Sequence, residues 1–128
     1  MTSLEHLDLA GQTITDDGFC QLSELVHLKT LQLNDTLIGD KSLDIVSSFK
    51  DLEWLDLSGL AISDIGLRKL TSIDTLKHLE FDLNDNLTLQ GAKGVQSELP
   101  DCQVVCWESQ PNGSKRLVDV TSQRPPND

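Results

Sequence analysis

No apolar run in this chain approaches the 18–20 residues that a membrane-spanning helix requires. Its first 30 residues carry no charged-then-apolar-then-small pattern of a secretory signal, so a cytoplasmic location is expected. Cysteine is scarce and odd in number, three in all, which argues against a disulfide framework. Cys102 and Cys106 stand four apart on an expected strand. Their α-carbons are then about 13 Å apart at ~3.3 Å per residue, well beyond the about 7 Å that a disulfide tolerates. Cys20 has no second cysteine near it, and all three read as free structural thiols. Catalytic signatures are missing too. There is no Gly-rich phosphate loop, no Gly-x-Ser-x-Gly and no His-Glu-x-x-His, so neither an enzyme nor a cofactor is expected.

Positive charge is also in short supply. Residues 1–108 hold 19 Asp or Glu against 7 Lys or Arg, a balance of −12, whereas the last twenty hold 2 against 3. Nucleic-acid binding needs a basic stripe and anionic membranes attract basic segments, so both are disfavoured. A basic protein partner suits this charge, although acidity also serves solubility.

What is present is a period of 24. Leu4, Leu28, Leu52 and Leu76 open successive segments, and the same apolar skeleton returns in each. The first segment has Leu4, Leu7, Leu9, Ile14, Phe19, Leu22 and Leu25. Leu28, Leu31, Leu33, Ile38, Leu43, Val46 and Phe49 form the second, and Leu52, Leu55, Leu57, Ile62, Leu67, Leu70 and Ile73 the third. A period of 20–29 headed by LxxLxL marks stacked units that each bury one face against the next. The fourth segment begins normally at Leu76, Leu79 and Phe81 but runs long through residues 82–89. Placing Cys102, Val105 and Trp107 in the next three LxxLxL slots gives an interval of 26.

These residues resemble the leucine-rich repeats, within them the 24-residue bacterial and F-box-associated kind, ribonuclease-inhibitor-like in build. The closest matches run from Leu31 to Asp40 and from Leu55 to Leu67. The resemblance implies a right-handed α/β solenoid with about five parallel strands on a concave face and short helices on the convex side. Repeats fall near 4–27, 28–51, 52–75 and 76–101, with a terminal strand at 102–107, together a domain over 1–108. Helical segments are expected over 16–26, 40–48, 64–72 and 89–98. Asp16, Asp17, Asp40 and Asp64 stand at their starts, where carboxylates complement the helix dipole, and Gly18 and Gly66 give room where helix and sheet approach closely. Residues 109–128 form either a cap or a tail: Asn112-Gly113 between strand-forming residues signals a hairpin, returning over Arg116–Thr121 to cover the edge of the last strand.

Strand alternation turns the pattern into a surface. Three outward ladders follow: His6, Thr30, Trp54, His78 and Val104; then Asp8, Gln32, Asp56, Glu80 and Cys106; then Ala10, Asn34, Ser58, Asp82 and Glu108. Central exposed aromatics are where binding hot spots occur, so Trp54, Asp56, His78, Glu80, Asp82, Gln32 and Thr30 are the candidate partner-binding residues. A Trp lying flat to shield its neighbours is the plainer alternative. Sharper chemistry fits poorly. His6 and His78 lie about 14 Å apart at ~4.8 Å per strand, too far to share a metal ion. Asp82 to Asn86 opens like a calcium loop, but Leu87 replaces the turn glycine and Lys93 the bidentate glutamate. The Asn-x-Ser/Thr triplets at Asn34, Asn86 and Asn112 read as loop-stabilising residues.

The expected function is a non-catalytic protein-interaction module, compatible with a segment of a larger adaptor or effector. Related repeats serve as substrate receptors of ubiquitin ligases, and that role rests on analogy alone. A structural or self-associating segment is the opposing reading. No polar cap precedes Leu4, so Leu4, Leu7, Leu9 and Phe19 are expected to form an uncovered layer, either cut from a longer array or paired with a second copy as a homodimer.

Overall fold

The structure, a computed structural model, describes residues 3–120. Six short strands form one sheet in chain order: β1 His6–Asp8, β2 Thr30–Gln32, β3 Trp54–Leu57, β4 His78–Asp82, β5 Gln103–Ser109 and β6 Lys115–Asp119. The first five run parallel and β6 returns antiparallel along β5. Parallel neighbours need a crossover between them, and helices supply it: α1 Asp16–Phe19, α2 Asp40–Val46, α3 Asp64–Arg68 and α4 Leu89–Glu98. Single 3₁₀ turns extend α1 over Cys20–Leu22 and α3 over Lys69–Ser72. The fold is thus mixed α/β with a mostly parallel sheet, and no helix among the described residues is long and apolar enough to cross a membrane.

Leucine spacing sets the register of the first four strands. Leu7 pairs with Leu31, Leu31 with Leu55 and Leu55 with Leu79, and the last three of these side chains are fully buried. Burying each apolar side chain stabilises by about 1.5–3 kcal/mol. The intervening residues His6, Thr30, Trp54 and His78 line up on the opposite face, as do Asp8, Gln32, Asp56 and Glu80.

The fifth strand departs from its expected register by one residue. Gln103, not Val104, pairs with His78; Val105, not Cys106, pairs with Glu80; and Trp107, not Glu108, pairs with Asp82. Val104 and Cys106 are the residues facing the core, both fully buried. Three successive apolar residues, Val104-Val105-Cys106, satisfy either parity, and a one-residue slip moves every side chain to the other face. Trp107 therefore lies on the sheet face opposite the core, with Asp82, and does not fill a core slot.

The hairpin is present, with Gln110 and Gly113 closing its turn and Gly113 at φ 89°. The return strand is Lys115–Asp119, so Thr121 of the expected span and the tail over 123–128 lie outside the described residues.

The repeated aspartates cap helices, but not chiefly their own. Asp16 Oδ1 accepts from Gly39 N (3.0 Å), Ser42 N (3.2 Å) and Ser42 Oγ (2.5 Å). Asp40 accepts from Ser63 N (2.9 Å) and Ser63 Oγ (2.5 Å), and Asp64 from Thr88 N (2.9 Å) and Thr88 Oγ1 (2.8 Å). Each carboxylate ties its unit to the start of the next helix. The glycines correct the expectation in the same way: a Cβ on Gly66 would overlap the Asp40 carboxylate, and one on Gly91 that of Asp64, whereas Gly18 meets no carboxylate. The space is kept for a neighbouring aspartate, not for sheet backbone. At the Ncap–N3 pair the hydroxyl and the glycine trade places, with Gly39 and Ser42 in one unit, Ser63 and Gly66 in the next, and Thr88 and Gly91 after that.

At the N-terminal end Phe19 is fully buried, contrary to its expected place in an uncovered layer. Leu4, Leu7, Leu9, Ile14 and Leu22 pack half-buried against the core and are the partly exposed apolar residues of this end. Strand β1 pairs on one side only among the described residues.

Candidate functional site

Five strands bring their middle residues to one face, and the chemistry concentrates on β3, β4 and β5. Trp54 and His78 are direct neighbours in register. Their rings stack with centroids 4.7 Å apart and planes 7° from parallel. Both side chains are half-buried, so Trp54 does lie against a neighbour but keeps part of its indole open. His78 Nε2 lies 3.1 Å from Glu80 Oε1, a bond made by the tautomer with its proton on Nε2. Glu80 Oε2 accepts from Trp107 Nε1 at 2.9 Å. One carboxylate thereby fixes two aromatic rings, and charge-assisted bonds of this kind are the strong ones.

Asp56 and Asp82 flank Glu80. Asp56 Oδ1 accepts from Ser58 N (3.0 Å), closing the turn after β3. Burial pushes the Asp56 carboxyl above the ordinary aspartate value and the Glu80 charge adds to it, against the opposing hydrogen bond from Ser58 N and the nearby His78. Asp82 Oδ2 accepts from Gly59 N at 3.0 Å and from Lys115 Nζ at 2.8 Å. Asp82 Oδ1 is buried without a hydrogen-bond partner among the described residues. Asp35, in the left-handed region at φ 60°, joins these residues with Asn34 and Trp107 around an open hollow of about 310 Å³.

The remaining candidates sit at the margin. Thr30 Oγ1 lies 2.7 Å from His6 Nδ1. Gln32, its amide turned with the nitrogen toward Asp8, donates to both carboxylate oxygens at 3.1 and 3.0 Å. Neither reaches the hollow. Leu4, Leu7 and Leu9 belong to the far end of the core, so the self-association candidates are separate from this surface.

Several residues singled out in the sequence serve the fold. Asn84 Oδ1 accepts from Asn86 N and Leu87 N at 2.7 and 2.9 Å, and Thr36 Oγ1 donates to Leu33 O at 2.8 Å. Burial pushes the Cys102 thiol up to about 12, and burial with the Glu108 charge pushes Cys106 up to about 11.

Sequence reasoning missed two residues of the site. Trp107 was hidden by the slipped register, and its indole N–H, which needs a partner when buried, is the signal that spoke against a core slot. Lys115 stands just before the expected return strand over Arg116–Thr121, in a stretch that the pattern leaves open as cap or tail, so nothing there aims it at the sheet face.

No family profile and no curated protein sequence matches the chain. Among solved structures, the leiomodin-1 fragment described as actin-binding site 2 is similar, with a TM-score of 0.64 at 14% sequence identity. The match covers 83% of this chain and 70% of that one. At that identity the likeness shows the fold.

Proposed function

We propose that this chain is a leucine-rich-repeat module that binds a protein partner, without catalysis, on the acidic concave sheet around Trp54, Asp56, His78, Glu80 and Asp82, with Trp107 added. The observation that carries this is the half-buried Trp54–His78 stack set beside a hollow lined by Asp35, Asp56, Glu80 and Asp82. An aromatic anchor with an oriented polar surround is the composition of an interface centre. The repeat reading is supported by the 24-residue spacing of paired strands and by the aspartate ties that recur from unit to unit. The leiomodin fragment, named for actin binding, is an example of a similar fold serving a protein contact; the partner proposed here is defined by charge, as a basic protein segment. Capture from a native lysate by the intact chain and by Trp54→Ala tests the reading. Loss of the same identified partner supports it, and an unchanged partner set opposes it.

A second reading, self-association through the β1 end, is favoured by the half-buried Leu4, Leu7 and Leu9 and by the one-sided pairing of β1. A two-fold joint would use the same patch twice. Glu5 and Asp8 would face their own copies there and weaken it. Sedimentation across concentrations, with Leu7→Lys as the disrupting variant, decides it.

A further inference from the structure

Lys115 reaches from the C-terminal hairpin onto the concave face, and what it touches there defines a ligand. Its ammonium sits 2.8 Å from Asp82 Oδ2. The two side chains differ sharply in exposure, 52% for Lys115 against 16% for Asp82, so the cation lies across the mouth of the hollow and the carboxylate at its floor. The Asp82 bond and charge, together with Asp35, hold the Lys115 pKa above its ordinary value. The hollow thus already holds a cation, one that belongs to the chain itself.

That cation is an incomplete fit. Asp82 Oδ2 is shared between Gly59 N and Lys115, while Asp82 Oδ1 and the Ser58 Oγ on the same hollow are buried without a hydrogen-bond partner among the described residues. An ammonium is a compact point charge that meets one carboxylate here, whereas a guanidinium is a planar fork of five donors that can serve Asp82 Oδ2 and a neighbouring carboxylate of the hollow at once. Asp35, Asp56 and Glu80 supply further acceptors around the same hollow, and Trp107 supplies an aromatic wall of the kind on which a guanidinium stacks. The lysine is also easily displaced. An ion pair with one half-exposed partner contributes little to stability, and β6 stays paired to β5 through Val118 and Leu117 whether or not Lys115 is seated.

We propose that the hollow is the site for an arginine side chain of a partner protein, and that Lys115 is its intramolecular competitor, released when the partner's guanidinium takes Asp82. This deepens the concave-face reading and rests on it. The hairpin then does two things: it covers the edge of β5, and it sets the threshold a basic segment must exceed to bind.

The probe is an acetylated, amidated tri-arginine peptide titrated into the full chain at 0.05 and 0.15 M salt, with tri-citrulline as the uncharged counterpart. Lys115→Met is expected to bind tri-arginine roughly twofold to fivefold more tightly than wild type, in line with removal of one competing surface charge. Tri-citrulline should bind neither protein. Lys93→Met, which removes the same charge from α4, should leave the affinity unchanged. Asp82→Asn should weaken tri-arginine binding, with hydrogen exchange of the β5–β6 amides showing that its hairpin is intact. Equal or weaker binding by Lys115→Met, or an equal gain in Lys93→Met, overturns the proposal. If Trp54→Ala still loses its captured partner while tri-arginine ignores Lys115, the concave-face reading stands and the arginine site falls. If Lys115→Met sharpens arginine binding while Trp54→Ala captures the same partners, the reverse holds.

Discussion

Trp107 Nε1 donates to Glu80 Oε2 across the β4–β5 pair at 2.9 Å. The last parallel strand thereby contributes an aromatic ring to a face whose other aromatic, Trp54, stands on β3. Glu80 also meets His78 at 3.1 Å, so its removal frees both rings. Glu80→Ala is expected to cost about 1.5–3 kcal/mol in urea unfolding, the range for bonds to a charged group, with a red-shifted tryptophan emission in the folded state. Glu80→Gln keeps an acceptor for the indole and should lose about half as much or less.

The aspartate ties give a sharper contrast. Gly66→Ala and Gly91→Ala place a Cβ where the Asp40 and Asp64 carboxylates lie. Each should destabilise by about 1–3 kcal/mol, the usual cost of overpacking. Gly18→Ala meets no carboxylate and gains helix propensity of up to about 1 kcal/mol, so it should be neutral or stabilising. Urea midpoints of the three variants, read with unchanged slopes, check this.

Much of this frame was legible beforehand, and the failures have identifiable causes. Leu7, Leu31, Leu55 and Leu79 fix the parity of β1–β4 because single leucines alternate with polar residues there. At β5 the run Val104-Val105-Cys106 removes that alternation, and Val105, on the face shared with Glu80, is itself only 6% exposed. Both faces of β5 are therefore apolar, and pattern alone could not choose between them. Phe19 stands in the first repeat yet is fully buried, and Leu4, Leu7, Leu9, Ile14 and Leu22 are the residues left partly exposed there, a difference that the repeat pattern does not encode. Asp40 and Asp64 look in sequence like charges at their own helix starts because their partners, Ser63 and Thr88, lie 23 and 24 residues away.

Two aspartates should carry opposite pH signatures. Asp56 has a raised folded pKa, so the folded state holds its proton longer than the unfolded state. Its contribution favours folding at low pH and is lost as pH rises from the ordinary aspartate value through the raised one. Burial would raise Asp16 as well, but hydrogen bonds from Gly39 and Ser42, with the Lys41 charge, outweigh it and leave that pKa lowered. Its contribution is present above the ordinary aspartate value and is lost as pH falls through the lowered one. Relative to wild type, Asp56→Asn should gain stability as pH rises from 3 to 7 and Asp16→Asn should lose it, by urea unfolding in a pH series.

Thiol chemistry should sort the cysteines by place. Cys102 and Cys106 are buried and Cys20 is exposed, and the first two are held far from ionisation at neutral pH. An aromatic disulfide reagent at pH 8 should titrate Cys20 alone in the native protein and all three thiols in denaturant. Rapid native labelling of Cys106 would contradict the burial of β5.

The central claim, that the concave face around Trp54 and Glu80 binds a protein, is tested most directly by site-specific photo-crosslinking. A benzophenone amino acid replaces Gln32 beside the site in one protein, and Lys93 on α4 in another, and both are irradiated in native lysate. The account predicts a discrete adduct from position 32 that disappears when Trp54→Ala is added, and none of that mass from position 93. The same adduct from both positions, or one at position 32 indifferent to Trp54, would contradict it.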